Sequence, residues 1–215
     1  MTVRDDIEAE RAMLADALEA LGPDAPAGCG HWTAFDVAAH VVAAERAAGT
    51  LAFCIRVLAA RGVQFHPKAQ LVASAIRRER RVGYPAVIAR LRQRSPRLLL
   101  VPAVGASTLF EVWMHHDDLA TTNGLAHGAP DHLAEAIPSL MRYQAKHLPA
   151  ASRLIVRTTD GYEWTFGPNG GPSAVLAGSA ADLIRWLAGR GPISALDVEA
   201  DLAVVDQLHA FVGNI

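Results

Sequence analysis

The chain has 215 residues, 51% hydrophobic and 20% charged, with 20 basic against 22 acidic side chains and a net charge of −2. That length admits one large or two small domains with a sizeable core. The charge balance gives no electrostatic case for nucleic acid as a partner. The longest apolar stretch, Leu98 to Phe110, contains Pro102 and falls short of the roughly 20 residues that span a bilayer, so no membrane partner is expected.

In chain order, Thr2 followed by Asp5 reads as a capping box, and Val3, Ile7, Leu14, Leu18 and Leu21 recur at helical spacing until Gly22-Pro23 stops the helix. Thr33 with Asp36 repeats the cap signal and predicts a long helix from about 34 to 60, its buried side lined by Phe35, Val37, Val41 and Ala44. A loop is expected from Gly62 to Lys68, then helices over about 69–80 and 85–94, with Pro85 suited to a first turn. Arg77-Arg78-Glu79-Arg80-Arg81 reads as a solvated helix end. Pro96 and Pro102 bracket an irregular apolar connection, a helix follows over about 107–122, closed by Asn123-Gly124, and another covers about 130–147.

After Leu148-Pro149 the periodicity changes. Arg153 to Thr158 alternates as a strand, Asp160-Gly161 signals a hairpin, and Tyr162 to Phe166 reads as the return strand. Ala174 to Ala177 suggests a third strand, Ala180 to Leu187 an amphipathic helix, Ile193 to Val198 a fourth strand and Asp201 to Phe211 a last helix. The expected class is therefore mainly α with a small α+β domain: a helical domain over 1–148 and an α+β domain over 149–215. Gly167-Pro168-Asn169-Gly170-Gly171-Pro172 is read as a loop between strands, because its prolines interrupt any phosphate cradle. Cys29 and Cys54 make no disulfide framework, and the polar N-terminus is unlike a secretion signal; both suit a cytoplasmic protein.

The chemistry-bearing pattern is Glu111-Val112-Trp113-Met114-His115. A separation of four places both side chains on one helix face, roughly 5–6 Å apart at Cβ, where they can grip one metal ion. His40, in Trp32-Thr33-Ala34-Phe35-Asp36-Val37-Ala38-Ala39-His40, can supply a third ligand from a second helix. Two histidines and one glutamate leave a zinc-type site with an open position. The spacing alone also fits a surface carboxylate beside a half-buried histidine. Asp36 reads as a helix cap, with support of the His40 ring as the alternative. His116 and Asp118 point to other faces than His115, His116 exposed or behind a ligand and Asp118 available to orient one. His31, His66, His127, His132, His147 and His209 read as surface or loop residues.

The W-T-x-x-D-x-x-x-H and E-x-x-x-H-H-x-D blocks occur in order with Gly178-Ser179-Ala180-Ala181-Asp182-Leu183, Trp186-Leu187-Ala188-Gly189-Arg190 and Val198-Glu199-Ala200-Asp201. Over nearly its whole length the chain resembles the mycothiol-dependent maleylpyruvate isomerase superfamily, and most closely an actinobacterial metal-binding branch of it. The resemblance implies a DinB-like four-helix bundle followed by a sterol-carrier-like α+β domain. It implies a divalent metal, usually taken as zinc, on His40, Glu111 and His115. It also implies mycothiol as a thiol whose sulfur adds to an activated double bond, permits rotation and leaves. Arg190 matches the family's C-terminal arginine, expected to hold a substrate carboxylate from a cleft between the domains; a charge favoured at a helix end is the other reading. Arg46 is a further anion-binding candidate. Where relatives carry Val-x-Gly-Asp, this chain has Ala200, which tolerates a left-handed turn less well than glycine.

Three functions remain open on these grounds: a metal- and thiol-dependent isomerase or S-transferase acting on a small electrophile, a metal enzyme that uses no thiol, and a non-catalytic metal-binding protein. A monomer or homodimer is expected. No G-x-S-x-G is present, nor a G-x-G-x-x-G after a strand, and a thiol-dependent mechanism needs no protein nucleophile.

Overall fold

A computed structural model describes residues 1–48, 69–144, 153–167, 172–200 and 204. The loop expected at 62–68, the far end of the helix expected to reach 60, and nearly all of the final helix lie outside these residues, as do Cys54, His66, His147 and His209. The chain divides into two compact units, Met1–His132 and Leu133–Ile215.

The first unit is helical. Helix α1 (Val3–Leu21) opens on the capping box: Asp5 N donates to Thr2 Oγ1, and Thr2 N donates back to the Asp5 carboxylate. It ends where Gly22 takes a φ of 81°. Helix α2 (Ala34–Ala48) starts behind Thr33, whose N–H and hydroxyl both donate to Asp36 Oδ2. Asp36 is thus the cap, and Arg80 holds its other oxygen at 2.7 Å. Helices α3 (Ala69–Arg80) and α4 (Tyr84–Leu91) follow, the latter with Pro85 in its first turn. The stretch between Pro96 and Pro102 forms a 3₁₀ turn over Arg97–Leu100.

Helix α5 (Pro102–Thr122) begins about a turn earlier than its apolar periodicity suggests. The reason is Pro102 itself, which enters the helix at the first position, where its missing N–H leaves no bond unmade. Helices α1 and α5 pack together, and α2 packs on α1, α3, α4 and α5. Their shared core holds Leu14, Leu18, Val41, Ile88, Val112 and Leu119, each at most 4% exposed.

In the basic run at the end of α3, Arg77, Arg78 and Arg81 are exposed as expected, but Glu79 among them is buried. Glu79 is 2% exposed and receives Arg46 at 3.0 Å and Arg90 at 2.8 Å. A buried carboxylate requires such partners.

The second unit opens with a 3₁₀ turn (Leu133–Ala136) and α6 (Ile137–Gln144), where one helix over 130–147 was expected. Four strands form a sheet of order β2-β1-β3-β4: β1 (Arg153–Thr158), β2 (Glu163–Phe166), β3 (Ser173–Gly178) and β4 (Asp197–Ala200). Strand β1 runs antiparallel to β2 and parallel to β3, and β4 is antiparallel to β3. Period-two alternation puts Leu154, Val156, Ala174 and Leu176 on one buried face. Helix α7 (Ala180–Leu187) packs against β1 and β3 and is capped by the Ser179 hydroxyl on Asp182 N. Ile193–Ala195 is a 3₁₀ turn rather than a strand, so the fourth strand is displaced to Asp197–Ala200. Ala200 pairs with Ala174 as ordinary extended backbone, so no glycine is required there.

Candidate metal centre

Helices α2 and α5 bring His40, Glu111 and His115 together. Glu111 Oε1 lies 2.9 Å from His40 Nε2 and 3.5 Å from His115 Nε2. The two imidazole rings are 4.8 Å apart and nearly perpendicular. All three ligand-capable atoms lie within 4.8 Å of one another. The glutamate side chain is 31% exposed and the histidines 14% and 11%, so the carboxylate sits at the open side of an otherwise covered group. Burial opposes ionisation of Glu111, but hydrogen bonds and charge from His115 and His40 outweigh it and hold the carboxyl well below the usual range.

The donor set suits a divalent cation. Ligand bonds of about 2.0–2.2 Å to imidazole nitrogen and carboxylate oxygen place tetrahedral donors roughly 3.3 Å apart, close to the separations found here. Three donors converge, and none is a lysine or arginine that would repel an ion.

The surroundings hold the ligands in place. Trp32 contacts both rings, 5.0 Å from His40 and stacked 5.8 Å from His115. It is held there by a tight loop: Ala27 N donates to Trp32 O, Trp32 N to Cys29 O and Ala34 N to Ala25 O. Gly28 presses this loop onto α5. Its φ is 74°, and an added Cβ would meet Thr122 Oγ1 at 2.4 Å and the Asp118 carbonyl oxygen at 2.8 Å. The loop also delivers Cys29, whose thiol donates to Asp118 Oδ2 at 2.9 Å while its sulfur lies 3.7 Å from His115 Nδ1. With the thiol proton on Asp118, the sulfur is free to accept from Nδ1–H. In that arrangement Nδ1 would be the donor to Cys29, and Nε2 is the ring nitrogen turned toward Glu111.

Other sequence candidates fall elsewhere. Arg46 pairs with Glu79, so an anion there must compete with a buried carboxylate. Arg190 is exposed, and its Nη1 donates to Ala188 O at 3.0 Å. His31 is exposed as expected. His116 is not exposed, and His127 lies in the loop that follows α5, as expected, but with its side chain covered there: the two side chains are 7% and 5% exposed. His116 Nδ1 lies 2.6 Å and His127 Nε2 2.8 Å from Glu10 Oε1, and Asp117 Oδ1 lies 3.2 Å from His127 Nδ1. Burial works against charge on Glu10 and His127 alike, yet their mutual bonds prevail: Glu10 is held below its ordinary value and His127, with Asp117 behind it, is pushed up to about 9. His132 is bonded through its backbone N–H and Nδ1 to buried Asp6. The sequence did signal the burial of Glu10, though not its partners: Glu10 and Arg11 stand three and four residues after Ile7 and fall on the same buried stripe as Leu14.

A helical bundle with a His/Glu/His donor set across two of its helices, joined to a small α+β unit, defines the class of this protein. Residues 5–120 match the mycothiol maleylpyruvate isomerase N-terminal domain, and residues 125–207 the corresponding C-terminal domain. The chain belongs to the mycothiol-dependent maleylpyruvate isomerase family. Among solved structures it is similar to a mycothiol-dependent maleylpyruvate isomerase at 17% identity, over 93% of both chains, with a TM-score of 0.59. A histidine-to-alanine mutant of that isomerase superposes at 0.56, with the same identity and coverage. That similarity bears on the fold. No curated protein matches the chain. No helix among the described residues is long and apolar enough to cross a membrane.

Proposed function

We propose that this chain is a metal-dependent enzyme that uses a low-molecular-weight thiol, mycothiol, to isomerise or S-conjugate a small electrophile. The observation that supports it most is the convergence of His40, Glu111 and His115, with no fourth protein donor in the group among the described residues. Structural zinc normally takes four protein ligands, and a three-ligand set leaves room for a reacting molecule.

A divalent ion held there, zinc in this reading, supplies Lewis acidity and lowers the pKa of a thiol or water bound beside it. The chain's own residues do the rest. Glu111 stays anionic and offsets the ion's charge. The Cys29–Asp118 pair meets Nδ1 of His115 and orients the ring with Nε2 toward the ion, and Trp32 walls one side of both imidazoles. Cys29 is itself committed to Asp118 and His115, so it makes a poor attacking nucleophile. This favours a sulfur brought in by a cosubstrate. Arg190, exposed at the end of α7, is the proposed anchor for a carboxylate of the substrate or thiol.

The test incubates the zinc-loaded full chain with maleylpyruvate, the compound named for the structural relative, with and without mycothiol. Cis-to-trans conversion or a thioether adduct that requires both metal and thiol, and is lost in His115→Ala, is the expected result. Turnover that proceeds equally without thiol would overturn the thiol-dependent reading.

A further inference from the structure

We infer that Glu10, His116 and His127 form a second divalent-metal site, buried on a different face of α5 from the first and holding α1, α5 and the segment after α5 together. His115 and His116 are neighbours in sequence, so their side chains leave the helix roughly 100° apart. One turns toward α2 and Glu111, the other toward α1 and Glu10.

Three observations carry this. The first is the donor geometry: Glu10 Oε1, His116 Nδ1 and His127 Nε2 lie within 4.8 Å of one another. The second is an acceptor left over. Glu10 is 0% exposed, and its Oε2 has no hydrogen-bond partner among the described residues. A buried carboxylate oxygen without a partner is costly in a purely hydrogen-bonded cluster. With an ion at the centre that oxygen would lie beside the cation together with Oε1, so the leftover acceptor would gain a partner.

The third observation is the support behind His127. Asp117 Oδ1 faces its Nδ1 while Nε2 points at Glu10. A carboxylate behind the remote ring nitrogen of a ligating histidine is a recurrent feature of metal sites. Trp113 stacks on His127 at 5.7 Å and donates from Nε1 to Gly128 O, fixing the backbone beside it. Two carboxylates that favour a proton on His127 also favour a divalent cation in its place. On metal binding the Nε2 proton passes to the buffer and Nδ1–H stays on Asp117.

Imidazole nitrogen with carboxylate oxygen selects zinc or a neighbouring first-row divalent ion over calcium or magnesium. Side-chain exposures of 7% or less leave no open face for a substrate, so the role is structural.

The experiment measures metal content of the chelator-stripped full chain after dialysis against Zn²⁺, and the visible absorption of the Co²⁺ form. Wild type should take up about two ions per chain, and the His40→Ala/His115→Ala variant, which leaves the Glu10 cluster intact, about one, with a four-coordinate Co²⁺ spectrum. Adding Glu10→Gln to that variant should abolish the remaining ion, with circular dichroism confirming the fold. A His40→Ala/His115→Ala chain that binds no ion overturns the inference, as does a Glu10→Gln chain that keeps two. The first site is read separately, by loss of an ion in His115→Ala alone.

Discussion

His115 carries the most at the scale of single residues. It faces Glu111 with one ring nitrogen and Cys29 with the other. Two substitutions separate these roles. His115→Ala should lose the ion of the first site outright, read by elemental analysis; undiminished metal would sink the ligand assignment. Asp118→Asn keeps every ligand but weakens the acceptor that takes the Cys29 proton. It should lower metal affinity by about 10–100-fold, measured by competition with a chromophoric chelator, and unchanged affinity would remove Asp118 from the support. Arg190→Ala should weaken substrate binding by about 1.5–3 kcal/mol, the scale of a hydrogen bond to a charged group, with metal content unchanged. Unaltered kinetics would leave Arg190 as a helix-end charge. Glu111 and His115 were legible as a pair because i and i+4 on a helix share a face whatever the helix packs against, whereas His40 was named as their companion through the family resemblance. The Glu10 cluster was not, because His127 follows the end of α5 and Glu10 precedes His116 by 106 positions.

Among the elements, the loop between α1 and α2 is sensitive to change at Gly28. Gly28 combines a positive φ with contact closer than any Cβ allows. Gly28→Ala should therefore destabilise the first unit by at least about 1 kcal/mol and weaken metal binding with it, since Trp32 and Cys29 move with the loop; a thermal melt and a zinc titration read both effects. The start of α2 gives a pH dependence. Burial disfavours ionised Asp36, but the Thr33 N–H and Arg80 hold its pKa below the ordinary 3.8. Its contribution is present above that value and is lost as pH falls through the lower folded-state pKa. Asp36→Asn should flatten the stability profile below about pH 4, and an acid limb identical to wild type would show that the cap contributes nothing. The cap itself was readable from Thr33 and Asp36. Its second partner, Arg80, comes from α3 and was not.

For the whole molecule, metal occupancy and stability should be linked. An ion that binds the folded chain at about 100 times its Kd adds roughly 2.7 kcal/mol, so chelation should lower Tm by about 5–10 °C. An unchanged melt after verified metal removal would contradict both proposed sites. By itself the sequence determined the helical first part and the strand alternation after it, which follow from short-range periodicity and caps that each segment carries within itself; the resemblance of its motif blocks gave the family and the expectation of His40, Glu111 and His115 as ligands. Only the tertiary structure decided the sheet order β2-β1-β3-β4, the shift of the fourth strand to Asp197–Ala200, and the placement of Cys29 behind His115. It also decided that Glu10, His116 and His127 share one buried pocket of charge. Each of these depends on which distant segment supplies the partner for a group that cannot be buried alone, and no local pattern names that partner.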